Sequence, residues 1–168
     1  MNMLKRGAIN QEYWFIYGNR IFKIMVGIDG SEESVKAVEF AMSVAKIYRA
    51  ELIAVHVLTS DIGYIYSSPG VESPPLTIKE IMLLAEDEAR KWFDEAKEKA
   101  NNKEIQLKTE FIVAKKSVLN TILEYVEEHN INLIVVGTRG RSGIKKMLLG
   151  SVASGLITYA SCPVLIIK

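Results

Sequence analysis

The stretch that decides the fold is Ile21-Phe-Lys-Ile-Met-Val-Gly-Ile-Asp-Gly-Ser31. Its first eight residues are mostly apolar and end at Asp-Gly-Ser, the pattern of a buried strand that stops at a turn. Ser31, Glu32 and Glu33 suit the start of a helix, because serine caps free N–H groups and carboxylates favour the positive end of the helix dipole. Apolar residues then recur at helical spacing. The stretch therefore predicts a strand followed at once by a helix over residues 32–49.

The alternation of strands and helices continues to the end of the chain. Further strands are predicted at 52–58, 106–113, 133–136 and 164–167, and further helices at 78–100, 118–129 and 152–160. This order, with strands that are apolar throughout, is typical of a mostly parallel sheet covered by helices on both faces. The 168 residues, 49% of them hydrophobic, are enough for one core without disulfides. We expect a single soluble α/β domain.

Two segments fall outside this pattern. Residues 1–20 mix aromatic and polar residues without a clear period, so we expect an arm that packs on the surface or on a partner subunit, or an unstructured leader. The domain is then expected to span residues 21–168. Residues 59–77 are rich in serine and chain breakers and predict a long loop, a type that often forms a lid or mobile segment. The breakers are Gly63, Pro69, Gly70, Pro74 and Pro75.

Bulk properties exclude several classes of protein. A net charge of +1 gives no general reason to bind nucleic acid or membrane. No run reaches the roughly 18 apolar residues of a membrane span, and the N-terminus lacks the apolar core of a secretory signal. The single cysteine, Cys162, lies in an apolar run and is interpreted as a small buried hydrophobe. We expect a cytoplasmic protein with no nucleic-acid or membrane partner and no metal site made by the protein alone.

The charges are distributed unevenly along the chain. No acidic residue follows Glu128, and the remainder of the chain carries 16 basic and 20 acidic residues. The basic residues after Glu128 are Arg139, Arg141, Lys145, Lys146 and Lys168. A local positive field suggests an anionic ligand, although chance or a solvated basic face explains the pattern equally well.

The fourth predicted strand runs into a glycine-rich segment, Gly137-Thr-Arg-Gly-Arg-Ser-Gly-Ile-Lys-Lys-Met-Leu-Leu-Gly-Ser151. Open parallel sheets bind ligands beyond the carboxyl ends of the strands, where the strand order reverses. If the first strand is central, the reversal lies between the first and fourth strands. The segment then lies at the place where a ligand is expected.

The composition of this segment suits phosphate. Glycines let a ligand approach backbone N–H groups, and Gly150-Ser151 opens a helix whose first N–H groups favour an anion. Alternatively, the glycines are only turn residues and Ser151 only caps the helix. The spacing fits neither a Walker loop nor the dinucleotide motif. The basic candidates for neutralising phosphates are Arg139, Arg141, Lys145 and Lys146.

Asp29 ends the first strand inside the same crevice. A carboxylate there accepts hydrogen bonds from ribose hydroxyls or coordinates a magnesium ion carried by a nucleotide. A cap for the following helix is the alternative, and the two roles can coexist.

The spacing Gly137-x2-Gly140-x9-Gly150-Ser151 resembles the nucleotide-binding signature of the universal stress protein family. Met-Val-Gly-Ile-Asp-Gly-Ser at residues 25–31 resembles the first strand and turn of that family, and Ser-Cys-Pro-Val-Leu-Ile-Ile resembles its last strand. The likeness covers about residues 21–168.

The resemblance carries definite expectations. It implies a Rossmann-like, five-stranded parallel sheet in the order 3-2-1-4-5, of the kind found in adenine nucleotide alpha hydrolases. It implies a homodimer paired through the last strand, 164–167, a role in the stress response, and bound ATP (or ADP or AMP) with magnesium. By position, Asp29 would meet the ribose, Gly27 would lie near the base, and Val57 and Val136 would flank the adenine. The phosphates would be held by Gly137, Gly140, Gly150, Ser151 and Val152.

Turnover is a separate question, because hydrolysis needs a base or a water-positioning group near the terminal phosphate. His56 is interpreted as a hydrogen-bonded core histidine, and His129 as a helix-end residue whose charge suits the dipole. Our first hypothesis is a nucleotide-binding regulatory module in which ATP orders the 59–77 loop or a partner surface. The alternatives are a slow ATPase or phosphotransferase, with a base from that loop or from a partner, and a dimeric interaction domain without nucleotide.

Overall fold

Strands and helices alternate along the chain in the computed structural model, which describes residues 21–59, 77–114, 116–140 and 149–168. The strands are β1 (Lys23–Gly27), β2 (Glu51–Thr59), β3 (Leu107–Ala114), β4 (Leu133–Gly137) and β5 (Val164–Ile167). The helices are α1 (Glu32–Tyr48), α2 (Ile78–Asn102), α3 (Val118–Glu128) and α4 (Ser151–Tyr159). All predicted elements of the domain are present, and their boundaries differ from the predictions by two residues at most. The predictions for residues 1–20, for most of the 59–77 segment and for Arg141, Lys145 and Lys146 lie outside the described residues.

The five strands form one parallel sheet in the order β3-β2-β1-β4-β5. Val26 of β1 lies between Ala54 of β2 and Val135 of β4. The chain winds outward from β1 to β3 and then returns to β4, so the strand order reverses between β1 and β4. The order implied by the family resemblance is confirmed.

Side chains of successive strand residues point to opposite faces of the sheet, and both faces are covered. Ile24 and Val26 belong to one buried cluster with residues of α1 and α2, whereas Met25 belongs to a second with residues of α3 and α4. The central strands β1 and β4 are buried on both sides, which explains their continuous apolar sequence. Cys162 is half-buried against the second cluster.

Three of the four described helices begin with a side-chain cap. Ser31, Thr77 and Ser117 each accept a hydrogen bond from the backbone N–H three residues further on, and Thr77 forms a full capping box with Glu80. None of the described helices is long and apolar enough to cross a bilayer.

Candidate functional site

The carboxyl ends of β1 and β4 lie side by side at the reversal of strand order, where a ligand crevice is expected. Gly27 ends β1 and Gly137 ends β4, and Val136 is buried one residue before that end. A Cβ built on Gly27 would lie 3.1 Å from Val136 Cγ1, so the two strand ends pack closely. The site predicted from topology is therefore formed by two adjacent loops, one after each strand.

The first loop fixes the carboxylate of Asp29. Asp29 Oδ1 accepts hydrogen bonds from the backbone N–H of Ser31 at 3.0 Å and from its hydroxyl at 2.6 Å. Gly30 between them has a φ of +78°, a left-handed conformation that glycine adopts without strain. Ser31, not Asp29, is the N-cap of α1, so the carboxylate orders the turn rather than capping the helix directly.

The second loop packs its glycines against the first. A Cβ on Gly137 would lie 2.8 Å from Glu33 Cβ, and a Cβ on Gly140 would lie 2.6 Å from Asp29 Oδ2. Neither glycine has a positive φ, so a left-handed turn is not what requires them. They are required because the first turn of α1, at Gly137, and the Asp29 carboxylate, at Gly140, lie too close for a side chain.

The N-terminus of α4 meets this second loop. Gly150 is the N-cap residue, and its N–H donates to the carbonyl of Thr138 at 2.8 Å, which ties the start of α4 to the residue after β4. No side chain of the described residues caps this helix, in contrast to α1, α2 and α3, and its first turn has no acidic residue. Ser151 is the first helical residue and is exposed, so it does not act as the cap. The helix start offers backbone N–H groups and a positive dipole end beside Gly140.

The structure places the remaining predicted residues on β2, on α4 and in the loop after β4. Val57 lies in β2 opposite Ile112 and is half-buried. Val152 is the second residue of α4 and packs against the second core cluster. The guanidinium of Arg139 forms an ion pair with Glu33, with Nη2 2.9 Å from Oε1. The sequence indicated Glu33 only as an acidic residue in a first helical turn, so this pairing was missed.

His56 and Trp92 pack against the turn that contains Asp29. His56 is buried, its Nδ1 lies 2.7 Å from the carbonyl oxygen of Ile28, and its ring meets Trp92 edge-on. The indole of Trp92 covers Gly30 so closely that a Cβ there would lie 2.3 Å from Cε2. The interpretation of His56 as a hydrogen-bonded core histidine is confirmed. The contact of Trp92 was missed, because its place near the apolar face of α2 signals burial but not the partner.

The described part of the chain contains no group of three or more His, Cys, Asp or Glu side chains arranged to hold a metal ion.

Comparison with known proteins gives consistent matches. The model of the universal stress protein family matches residues 21–168. Universal stress protein YxiE of Bacillus subtilis is 40% identical over 147 residues, which are 87% of this chain and 98% of that protein. The structure of universal stress protein UspA from Lactobacillus plantarum matches with a TM-score of 0.70 at 25% identity, over 89% of this chain and 99% of that one. A universal stress protein solved in complex with cAMP matches with a TM-score of 0.58 at 25% identity, over 88% and 96% of the two chains.

Proposed function

The chain belongs to the universal stress protein family. We propose that it is a regulatory module that binds an adenine nucleotide, above all ATP, in the crevice between β1 and β4. The observation that carries the proposal is the start of α4, which has no side-chain cap among the described residues and lies beside Gly140. Free N–H groups at a helix N-terminus, next to a backbone without side chains, form a site for phosphate. The complex of a relative with cAMP supports an adenine nucleotide as the ligand.

We assign the nucleoside to the β1 side of the crevice. Asp29 accepts hydrogen bonds from the ribose hydroxyls, because its carboxylate is already oriented by Ser31. Gly27 lets the base approach the backbone of β1, and Val57 and Val136 supply apolar contacts to the adenine faces.

We assign the phosphates to the β4–α4 side. Backbone N–H groups hold the phosphate oxygens, and Ser151 adds its exposed hydroxyl. The residues of this cradle are Gly137, Gly140, Gly150, Ser151 and Val152. Arg139, Arg141, Lys145 and Lys146 neutralise the phosphate charge. A magnesium ion would arrive with the nucleotide, and Asp29 would be its candidate protein ligand as the alternative to its ribose contact, since hard cations prefer carboxylate and phosphate oxygens.

We propose binding rather than efficient turnover. The two histidines are engaged with the backbone: His56 Nδ1 lies 2.7 Å from the carbonyl oxygen of Ile28, and His129 Nδ1 lies 3.0 Å from that of Tyr125. His56 is buried, and His129 lies beside Lys23 at the amino end of β1, so neither is placed as a general base for a water at phosphates held beyond the carboxyl ends of the strands.

Titration calorimetry of the full chain with ATP, ADP, AMP and cAMP tests the proposal. We expect dissociation constants in the micromolar to millimolar range, and absence of heat with all four nucleotides would overturn it. Denaturing the purified protein and identifying any released nucleotide gives an independent readout. A steady release of ADP in a timed assay would favour the slow ATPase over the regulatory module.

We further propose that the protein is a cytoplasmic homodimer joined through β5. This strand is an edge of the described sheet, and its four residues are apolar and only half-buried. The carbonyls of Pro163 and Ile167 accept hydrogen bonds from the β4 side, so the backbone groups of Val164 and Ile166 point to the open edge. Sedimentation equilibrium should give twice the 18.8 kDa of the single chain, and a monomer at every concentration would contradict the dimer.

A further inference from the structure

The ion pair between Arg139 and Glu33 joins the loop after β4 to the first turn of α1. Arg139 stands between Gly137 and Gly140, the first two glycines of the proposed phosphate cradle. Its guanidinium Nη2 lies 2.9 Å from Glu33 Oε1, with 41% of the Arg139 side chain and 20% of the Glu33 side chain exposed. An arginine placed to neutralise phosphate thus already has an anionic partner within the protein.

We propose that Glu33 is a specificity-determining residue of the nucleotide site, one that occupies Arg139 and thereby weakens binding more strongly as the nucleotide carries more phosphates. The inference rests on the proposed function. A guanidinium that is free to meet phosphate adds a charge-assisted, often bidentate contact. While Glu33 holds it, phosphate must either displace the carboxylate or bind beside a neutralised arginine.

The position of Glu33 keeps its carboxylate close to Arg139, where it competes with phosphate for the guanidinium. Its Cβ lies beneath Gly137, where a Cβ on the glycine would be only 2.8 Å away, so the carboxylate is anchored next to the cradle. The adjacent Glu32 differs: its side chain is 80% exposed and pairs with Lys36 along the helix. The two glutamates therefore form a matched pair with the same charge in the same helical turn, and only one of them contacts the cradle.

The dependence on phosphate number follows from Coulomb's law. The interaction of a fixed charge with a ligand grows with the ligand charge, and without bound magnesium ATP carries more negative charge than ADP or AMP. The pair is partly exposed, so its strength is modest and its partners can exchange. Removing the carboxylate should therefore strengthen ATP binding by a small factor and leave AMP binding almost unchanged.

The test is calorimetric titration, in magnesium-free buffer, of AMP, ADP and ATP into the wild-type chain, Glu33→Gln, Arg139→Gln, the double variant and Glu32→Gln as control. We expect Glu33→Gln to tighten ATP binding by about two- to fivefold, the range set by the strength of exposed ion pairs. AMP affinity should change by less than about twofold, and Glu32→Gln should match wild type for all three nucleotides. In the Arg139→Gln background most of the gain from Glu33→Gln should disappear.

Other results separate the possible failures. Weaker ATP binding by Glu33→Gln would mean that the pair holds the loop in its binding geometry, and an equal change for all three nucleotides would exclude a phosphate-dependent effect; both overturn the inference while leaving the proposed function intact. No binding of any nucleotide by the wild-type chain would overturn the proposed function and the inference with it. Circular dichroism verifies folding of the variants, and Glu33→Asp, which has a shorter side chain, should change affinity in the same direction as Glu33→Gln.

Discussion

The carboxylate of Asp29 lies where a side chain on Gly140 would begin, since a Cβ on Gly140 would come 2.6 Å from Asp29 Oδ2. Asp29 follows β1 and Gly140 follows β4, so this contact joins the two loops at the reversal of strand order. Asp29 Oδ1 is held by two hydrogen bonds from Ser31, so the carboxylate cannot turn away without losing them. The absence of a side chain at residue 140 thus leaves space for the carboxylate of Asp29, the residue proposed to bind the ribose.

Gly140→Ala should therefore impair nucleotide binding without unfolding the protein. The added Cβ displaces the Asp29 carboxylate and narrows the approach to the cradle. We expect ATP affinity to fall at least about tenfold, while the unfolding midpoint stays within about 5 °C, because the change is confined to surface loops. Calorimetry and thermal unfolding measure the two quantities.

A double variant tests whether the effect passes through Asp29. Asp29→Ala alone should weaken ATP binding, and adding Gly140→Ala should cost little more, because residues in contact are not additive. Fully additive losses would show that Gly140 acts on the ligand independently of Asp29.

The order of the elements was predictable because each strand is marked locally by an apolar run and each helix by its periodicity. The crevice was predictable from the alternation of strands and helices, and the strand order came from the family resemblance. The contacts that shape the site were not predictable from local signals. Glu33 is marked as a first-turn acid whether or not it meets Arg139, and Gly30 is marked as a turn residue whether or not Trp92 covers it. Such pairs depend on how distant elements cross in the fold.

Gly30→Ala should destabilise the fold strongly. The residue has a φ of +78°, and its Cβ would lie 2.3 Å from Trp92 Cε2. The left-handed conformation costs a non-glycine residue about 1–2 kcal/mol, and overpacking costs about 1–3 kcal/mol. We expect a loss of about 2–5 kcal/mol in the free energy of unfolding, measured with urea.

The steric part of that loss can be isolated by shortening the indole. In a Trp92→Leu background, Gly30→Ala should cost only the conformational part, about 1–2 kcal/mol. An equal cost in both backgrounds would mean that Trp92 does not restrict residue 30.

Cys162 should react slowly with alkylating reagents in the folded protein. Burial raises the pKa of its thiol to about 11, and the thiolate is the reactive form. At pH 7 the thiolate fraction is then about a hundredfold smaller than for an unshifted thiol, so iodoacetamide labelling should be about a hundredfold slower than in urea-unfolded protein. Mass spectrometry follows the reaction.

The pH dependence distinguishes a raised pKa from simple shielding of Cys162. The native rate should rise about tenfold per pH unit up to pH 10, whereas the unfolded rate should level off near pH 9. Equal rates in the two states at pH 7 would contradict the prediction.

Glu51, at the amino end of β2, should stabilise the fold through its ion pairs only above acidic pH. Its carboxylate lies 2.7 Å from Lys108 Nζ and 3.6 Å from Lys23 Nζ, and the hydrogen bond from Lys108 is the main cause that lowers the pKa of Glu51 below 4.5. A carboxyl group with a lowered pKa in the folded state adds stability above its unfolded pKa and loses it as the pH falls through the folded value. Because a third of the Glu51 side chain is exposed, Glu51→Gln should cost only about 0.5–1 kcal/mol at pH 7.

Urea unfolding of both proteins should show this difference at pH 7 and its disappearance near pH 2, where the carboxyl group is protonated in both states. Lys108→Met should give a similar loss at pH 7, and a difference that persists unchanged to pH 2 would show that Glu51 acts through packing rather than charge.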